Sequence, residues 1–77
     1  MDTESVTALL QAAFPGARVS VELSGGHCNV QVISDEFDGL RSVTRQQRVY
    51  APLADCIASG ALHAVNIFAK TPAEVAG

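Results

Sequence analysis

The alternation of apolar and polar positions predicts one helix and two strands in the first half of the chain. Thr3 is expected to cap the helix, and Pro15-Gly16 to end it. Apolar and polar residues then alternate over 18–23 and again over 28–33, as they do in half-buried strands. Because Ser24-Gly25-Gly26 between them is a turn signal, the strands are expected to form an antiparallel hairpin. The apolar positions of the helix are Val6, Leu9, Leu10, Ala13 and Phe14.

The second half predicts an interrupted helix followed by a third strand. Helical spacing runs over 42–58, but Pro52 removes a backbone donor, so we expect a kink near Tyr50-Ala51 or two short helices. Alternation over 64–69 predicts a strand, and Thr71 is expected to cap a last helical turn. The apolar face of the interrupted helix is predicted to hold Val43, Tyr50, Leu53, Ala54 and Ile57.

This order, α-β-β-α(α)-β, predicts an α+β fold with a three-stranded sheet and helices on one face. The third strand follows a helix, so it can run parallel to one hairpin strand through a right-handed crossover. The order of the strands within the sheet stays open.

Composition narrows the class of protein. The chain has 77 residues, of which 48% are hydrophobic and 17% charged, so we expect one small domain over 1–77. The net charge of −3 argues against nucleic acid as the main partner. The longest uncharged stretch, 56–69, is too short to span a membrane. The two cysteines suit neither a disulfide scaffold nor a zinc pattern, so a cytoplasmic protein is expected.

Two histidines are the candidate metal ligands. His27 and His63 each stand at a predicted strand start beside a glycine break, where a neutral ring nitrogen can reach a metal. Judged by residue type alone, an ordinary surface or capping histidine is the commoner explanation. Strand alternation places Cys28 opposite His27, on the apolar face, so Cys28 is interpreted as a core residue. No nucleophile–base pair is recognisable, so the chain is predicted not to be an enzyme.

Three arginines are the candidate binding surface. Arg41, Arg45 and Arg48 recur at i, i+4 and i+7 and are predicted to form a stripe along the central helix. The stripe is either a solvated helix face or a contact surface for an anion, a nucleic acid or an acidic partner.

Five blocks of sequence stand out: GHCNVQVIS at 26–34, FDG at 37–39, RQQRVY at 45–50, HAV at 63–65 and TPAE at 71–74. Together, within 6–75, they resemble the BolA family in order and spacing, and within it the small bacterial IbaG-type branch. The resemblance implies a compact BolA-like fold related to the class II KH domain, without that domain's Gly-x-x-Gly loop.

The resemblance also implies a partner and a cofactor. BolA-like proteins pair with monothiol glutaredoxins, whose thiolate and bound glutathione hold a [2Fe-2S] cluster. His63 matches one family ligand and His27 the second, with Cys28 as the alternative second ligand. The cluster is expected to be shared in a heterodimer, with none in the isolated chain. The ligand sites meet if the third strand runs parallel to the first.

The same family is described as DNA-binding transcriptional regulators of stress and morphology responses. That description implies DNA contacts from Arg41, Arg45 and Arg48 on the central helix. We therefore predict an iron–sulfur adaptor, with a DNA-binding regulator as the alternative. A weak homodimer is a further possibility.

Overall fold

The computed structural model describes residues 2–76, so positions 1 and 77 of the predicted domain lie outside the described residues. The elements follow the predicted order, and the interrupted helix is two helices joined by a 3₁₀ turn at Ala51–Leu53. Another 3₁₀ turn at Asp35–Phe37 follows the hairpin. The helices are α1 (Thr3–Ala13), α2 (Ser42–Tyr50), α3 (Ala54–Ala58) and α4 (Pro72–Ala76), and the strands are β1 (Arg18–Ser24), β2 (His27–Ile33) and β3 (Ala64–Lys70).

The cap of α1 lies one residue earlier than predicted. Asp2, not Thr3, is the N-cap residue, and its carboxylate accepts a hydrogen bond of 2.8 Å from the backbone N–H of Ser5. Hydrogen bonding from the Ser5 side chain, and then from its backbone N–H, holds the pKa of Asp2 below its usual range. Both residue types cap helices well, so the local sequence did not distinguish them.

The sheet has the order β1-β2-β3, with β2 in the centre. The hairpin is antiparallel as predicted, with Val21 opposite Val30. However, β3 pairs in parallel with β2, with Val30 opposite Ile67, so it runs antiparallel to β1. The third strand is therefore parallel to one hairpin strand, as expected, but that strand is β2, and the condition of a third strand parallel to the first is not met. Adjacent parallel strands start at the same edge of a sheet, and this pairing places His27 directly opposite Ala64.

The core lies between one face of the sheet and the helices. Phe14 and Phe37 are both buried, with ring centroids 5.3 Å apart. The other face of the sheet is open and carries polar residues together with the half-exposed Phe68. None of the helices within residues 2–76 has the length and apolar character needed to cross a membrane. The buried apolar cluster consists of Val6, Leu10, Phe14, Cys28, Val30, Val32, Phe37, Val49, Leu53 and Leu62.

The predicted apolar face of the central helix is wrong for α2. Val43 and Tyr50 are 60% and 45% exposed, whereas Val49 is buried. Val49 and Leu53, which are four residues apart, lie on the buried face, whereas the prediction had drawn that face through Val43 and Tyr50. Leu53 is buried as predicted.

Candidate functional site

The parallel pairing of β2 and β3 brings the two histidines to one edge of the sheet. His27 is the first residue of β2, and His63 directly precedes β3. Both side chains are exposed. The backbone N–H of His63 donates a 2.9 Å hydrogen bond to the carbonyl oxygen of Gly26, which ties the two strand starts together. Two imidazoles are thus available to a partner at neighbouring positions.

Gly26 is part of this site, although its sequence context indicated only a turn. It has a φ of +87°, in the region that favours glycine. A Cβ atom at this position would lie 3.3 Å from Cγ and 3.4 Å from Nε2 of His63, and closer still to Cδ2. The imidazole therefore packs against the bare α-carbon of Gly26. Neither alternation nor turn composition carries a signal for this contact.

Cys28 faces the core, as strand alternation predicts. Its side chain is 0% exposed, and it lies opposite Leu23 and Val65 on the covered face of the sheet. Burial raises the pKa of the Cys28 thiol, which disfavours the thiolate that binds metals. Of the two candidates for the second ligand, His27 is the one that a partner can reach.

The site offers few donors. Among residues 2–76, no group of three or more His, Cys, Asp or Glu side chains lies close enough together to hold a metal ion. The alternative ligand Cys28 is on the opposite face of the strand from His27. A metal group bound at this edge would need further donors from another molecule.

Arg45, the middle residue of the predicted arginine stripe, is held within the fold. Its side chain is only 12% exposed, and its guanidinium donates to the carbonyl oxygens of Leu40 and Ala69 at 2.9 and 3.2 Å. Two of its nitrogens also bind the Glu74 carboxylate, at 2.7 and 3.2 Å. The Arg45 hydrogen bonds, followed by the backbone N–H of Thr71, lower the pKa of Glu74 to about 2. Arg45 therefore fastens α4 to α2 and to the end of β3.

The same carboxylate completes a capping box at the start of α4. The Thr71 N–H donates to Oε1 of Glu74 at 2.8 Å, and the Glu74 N–H donates to the Thr71 hydroxyl at 3.2 Å. The predicted capping role of Thr71 is confirmed.

The two remaining arginines differ from each other. Arg48 forms an ion pair of 3.1 Å with Glu36, and its guanidinium lies 6.0 Å from the ring centroid of Phe14. Arg41 precedes α2 and takes part in neither of the two ion pairs found among residues 2–76. The stripe is therefore not an uninterrupted basic surface, because two of its three cations face carboxylates of the same chain.

Fold and site together define a small α+β domain that presents two exposed histidines beside its hairpin turn. A protein-family model described as "BolA-like protein" matches residues 7–74. The chain belongs to the BolA family, as the sequence blocks predicted.

Similar proteins agree with this assignment. The chain is 47% identical over 74 residues to a protein from the rpoN-murA intergenic region of Acinetobacter guillouiae, covering 96% of this chain and 89% of that one. It is 40% identical over 74 residues to the acid stress protein IbaG of Escherichia coli K12, covering 96% and 88%. The IbaG-type branch is thus supported. A BolA homologue from Coxiella burnetii has a TM-score of 0.85 at 27% identity, covering 100% and 99%. The BolA fold is confirmed.

Proposed function

We propose that this chain is a non-enzymatic adaptor that partners a monothiol glutaredoxin and shares a [2Fe-2S] cluster with it, in iron–sulfur cluster trafficking or sensing. The observation that carries the proposal is the pair of exposed histidines, His27 and His63, at one sheet edge. They form part of a ligand set and leave the rest to a partner.

The chemistry of the donors fits such a shared site. A [2Fe-2S] cluster takes four donors from its surroundings, and histidines replace two of the thiolates in some clusters, raising the reduction potential. Here His27 and His63 would supply two nitrogen donors, while the glutaredoxin thiolate and glutathione supply two sulfurs. Both rings must be neutral to bind, so acid should release the cluster. A cluster held in this way suits transfer or sensing better than permanent storage.

The alternative function, a DNA-binding transcriptional regulator, has less support. Duplex binding draws most of its affinity from phosphate neutralisation, and this chain has a net charge of −3. Arg45 and Arg48 are paired with Glu74 and Glu36, which leaves Arg41 as the stripe residue outside those ion pairs. A protein partner is therefore favoured over a nucleic acid.

The test is co-expression with a monothiol glutaredoxin, followed by visible absorption, circular dichroism and native mass measurement. We expect a heterodimer that holds one cluster and has a spectrum distinct from that of the glutaredoxin alone. His63→Ala should abolish the mixed spectrum, and Asn29→Ala on the open sheet face should preserve it. A glutaredoxin spectrum unchanged by the unmodified chain, with no heterodimer mass, would refute the proposal.

A further inference from the structure

We infer that Gly26 is a positioning residue for His63: the absence of its side chain sets the direction in which the imidazole is presented to the partner. This inference rests on the proposed ligand role of His63. It adds to that role a second residue, one that acts through the direction of the His63 ring.

The geometry has two parts that act together. The carbonyl oxygen of Gly26 accepts hydrogen bonds from the backbone N–H of His63 at 2.9 Å and of Ala64 at 3.5 Å, which holds the His63 backbone beside the hairpin turn. The ring of His63 then lies over the α-carbon of Gly26, with its Cδ2 edge nearest. A Cβ atom at position 26 would meet that edge inside van der Waals contact, so the ring would have to rotate away. The hydrogen bonds to the Gly26 carbonyl fix the position of the His63 backbone, and the space left by the missing Cβ atom at Gly26 fixes the direction of the imidazole.

Other glycines show that this space requirement is separate from backbone conformation. Gly60 has a φ of +83°, almost the same as the +87° of Gly26, yet a Cβ atom there would have nothing within 4 Å. Gly25, with a φ of +55°, is equally open. Alanine at any of these positions carries the cost of a left-handed backbone. At Gly26 alone among these three would it also displace a histidine ring.

This contrast supplies a matched pair of variants for the cluster measurement. Gly26→Ala and Gly60→Ala impose similar backbone strain, but the first alone collides with His63. With a monothiol glutaredoxin and glutathione, Gly60→Ala should retain the visible circular dichroism of the mixed cluster. Gly26→Ala should lose that signal as His63→Ala does, while still binding the glutaredoxin as a heterodimer. Equal signals from the two alanine variants would overturn the inference.

A measurement on the chain alone separates this inference from the proposed function. The His63 ring is the far end of an exposed side chain and can turn away at little cost, so Gly26→Ala should lower the denaturation midpoint about as much as Gly60→Ala, which has a similar φ. In the unmodified chain, nuclear magnetic resonance should show contact between the His63 Cδ2 proton and the Gly26 α-protons.

The outcomes are distinguishable. Absence of contact between the His63 Cδ2 proton and the Gly26 α-protons in the unmodified chain would overturn the positioning role of Gly26 whatever the cluster does. A positive result in the chain alone, with no mixed cluster from the unmodified chain, would refute the proposed function. It would leave Gly26 as the residue that orients an exposed histidine.

Discussion

Exchanging Cys28 for serine tests which atom in the hairpin serves as the second ligand. The Cys28 side chain is 0% exposed and lies in the buried apolar cluster, so Cys28→Ser replaces a packed thiol with a hydroxyl. Burying a hydroxyl without a partner costs about 1–3 kcal/mol. In a domain of this size, each kcal/mol corresponds to about 4–8 °C in Tm, so the variant should melt roughly 4 to 24 °C lower. The mixed cluster should nevertheless form at a temperature where the variant is folded.

His27→Ala should give the reverse pattern. The His27 side chain is exposed, so its removal should change stability by no more than about 0.5 kcal/mol. Its loss should nevertheless weaken or shift the visible circular dichroism of the mixed cluster. The assay is thermal denaturation of each variant alone, paired with visible spectra of each variant together with the glutaredoxin. If Cys28→Ser destroyed the cluster in folded protein while His27→Ala left it intact, the assignment of the two faces of β2 would be refuted.

Three further predictions concern charged residues. Arg45→Met should lower the denaturation midpoint and speed amide exchange in α4, because it removes the hydrogen bonds to Leu40, Ala69 and Glu74; Arg41→Met, the control, should change neither. The pKa of Glu74 is lowered from 4.5 to about 2 in the folded chain, so its stabilising contribution should be complete above about pH 4.5 and disappear as the pH falls towards 2. Glu74→Gln should remove that part of the acid dependence of stability. An acid transition that is the same in the variant would contradict this prediction. If duplex DNA binding is detected at low salt, Arg41→Gln should flatten the dependence of the log binding constant on log salt concentration by about 1 unit. Replacing Arg41, Arg45 and Arg48 together should flatten it no further, because the other two are paired with carboxylates. A flattening by about 3 units would show that those ion pairs open on DNA.

Local sequence patterns were sufficient to predict the features of the fold that depend on interactions within a few residues. Alternation over 18–23 and 28–33, with glycines between, was enough to predict the hairpin, because strand periodicity and turn chemistry both act over a few residues. The break at Pro52 followed from a missing backbone donor, again a local property. Alternation by itself also placed Cys28 in the core, where its side chain is found.

Long-range relations could not be obtained in this way. Which hairpin strand pairs with β3 depends on how the helices pack, and no periodicity in 64–69 encodes it. The ion pair of Arg45 with Glu74 joins residues 29 positions apart, which local spacing cannot reveal. The helical spacing of the three arginines therefore suggested an unpaired stripe, which the fold does not provide. The pairing of His27 with His63 as ligands came from family resemblance, because residue type alone favoured ordinary surface histidines. The sequence did not indicate a role for Gly26, because that role depends on the absence of a Cβ atom beside His63, a residue distant in sequence.

The pleat of β2 also decides which side chain would be the donor in the proposed cluster site. His27 and Cys28 are adjacent in sequence, but the strand directs one outward and the other inward. β2 is pinned between two neighbours, to β1 by antiparallel pairing and to β3 by parallel pairing, so it cannot slip by one residue without exposing its whole apolar side. The same odd–even parity that fills the hydrophobic interior thus selects nitrogen over sulfur at the surface. A lineage could therefore exchange nitrogen for sulfur at this surface by changing position 27 itself, but not by turning the neighbouring Cys28 outward.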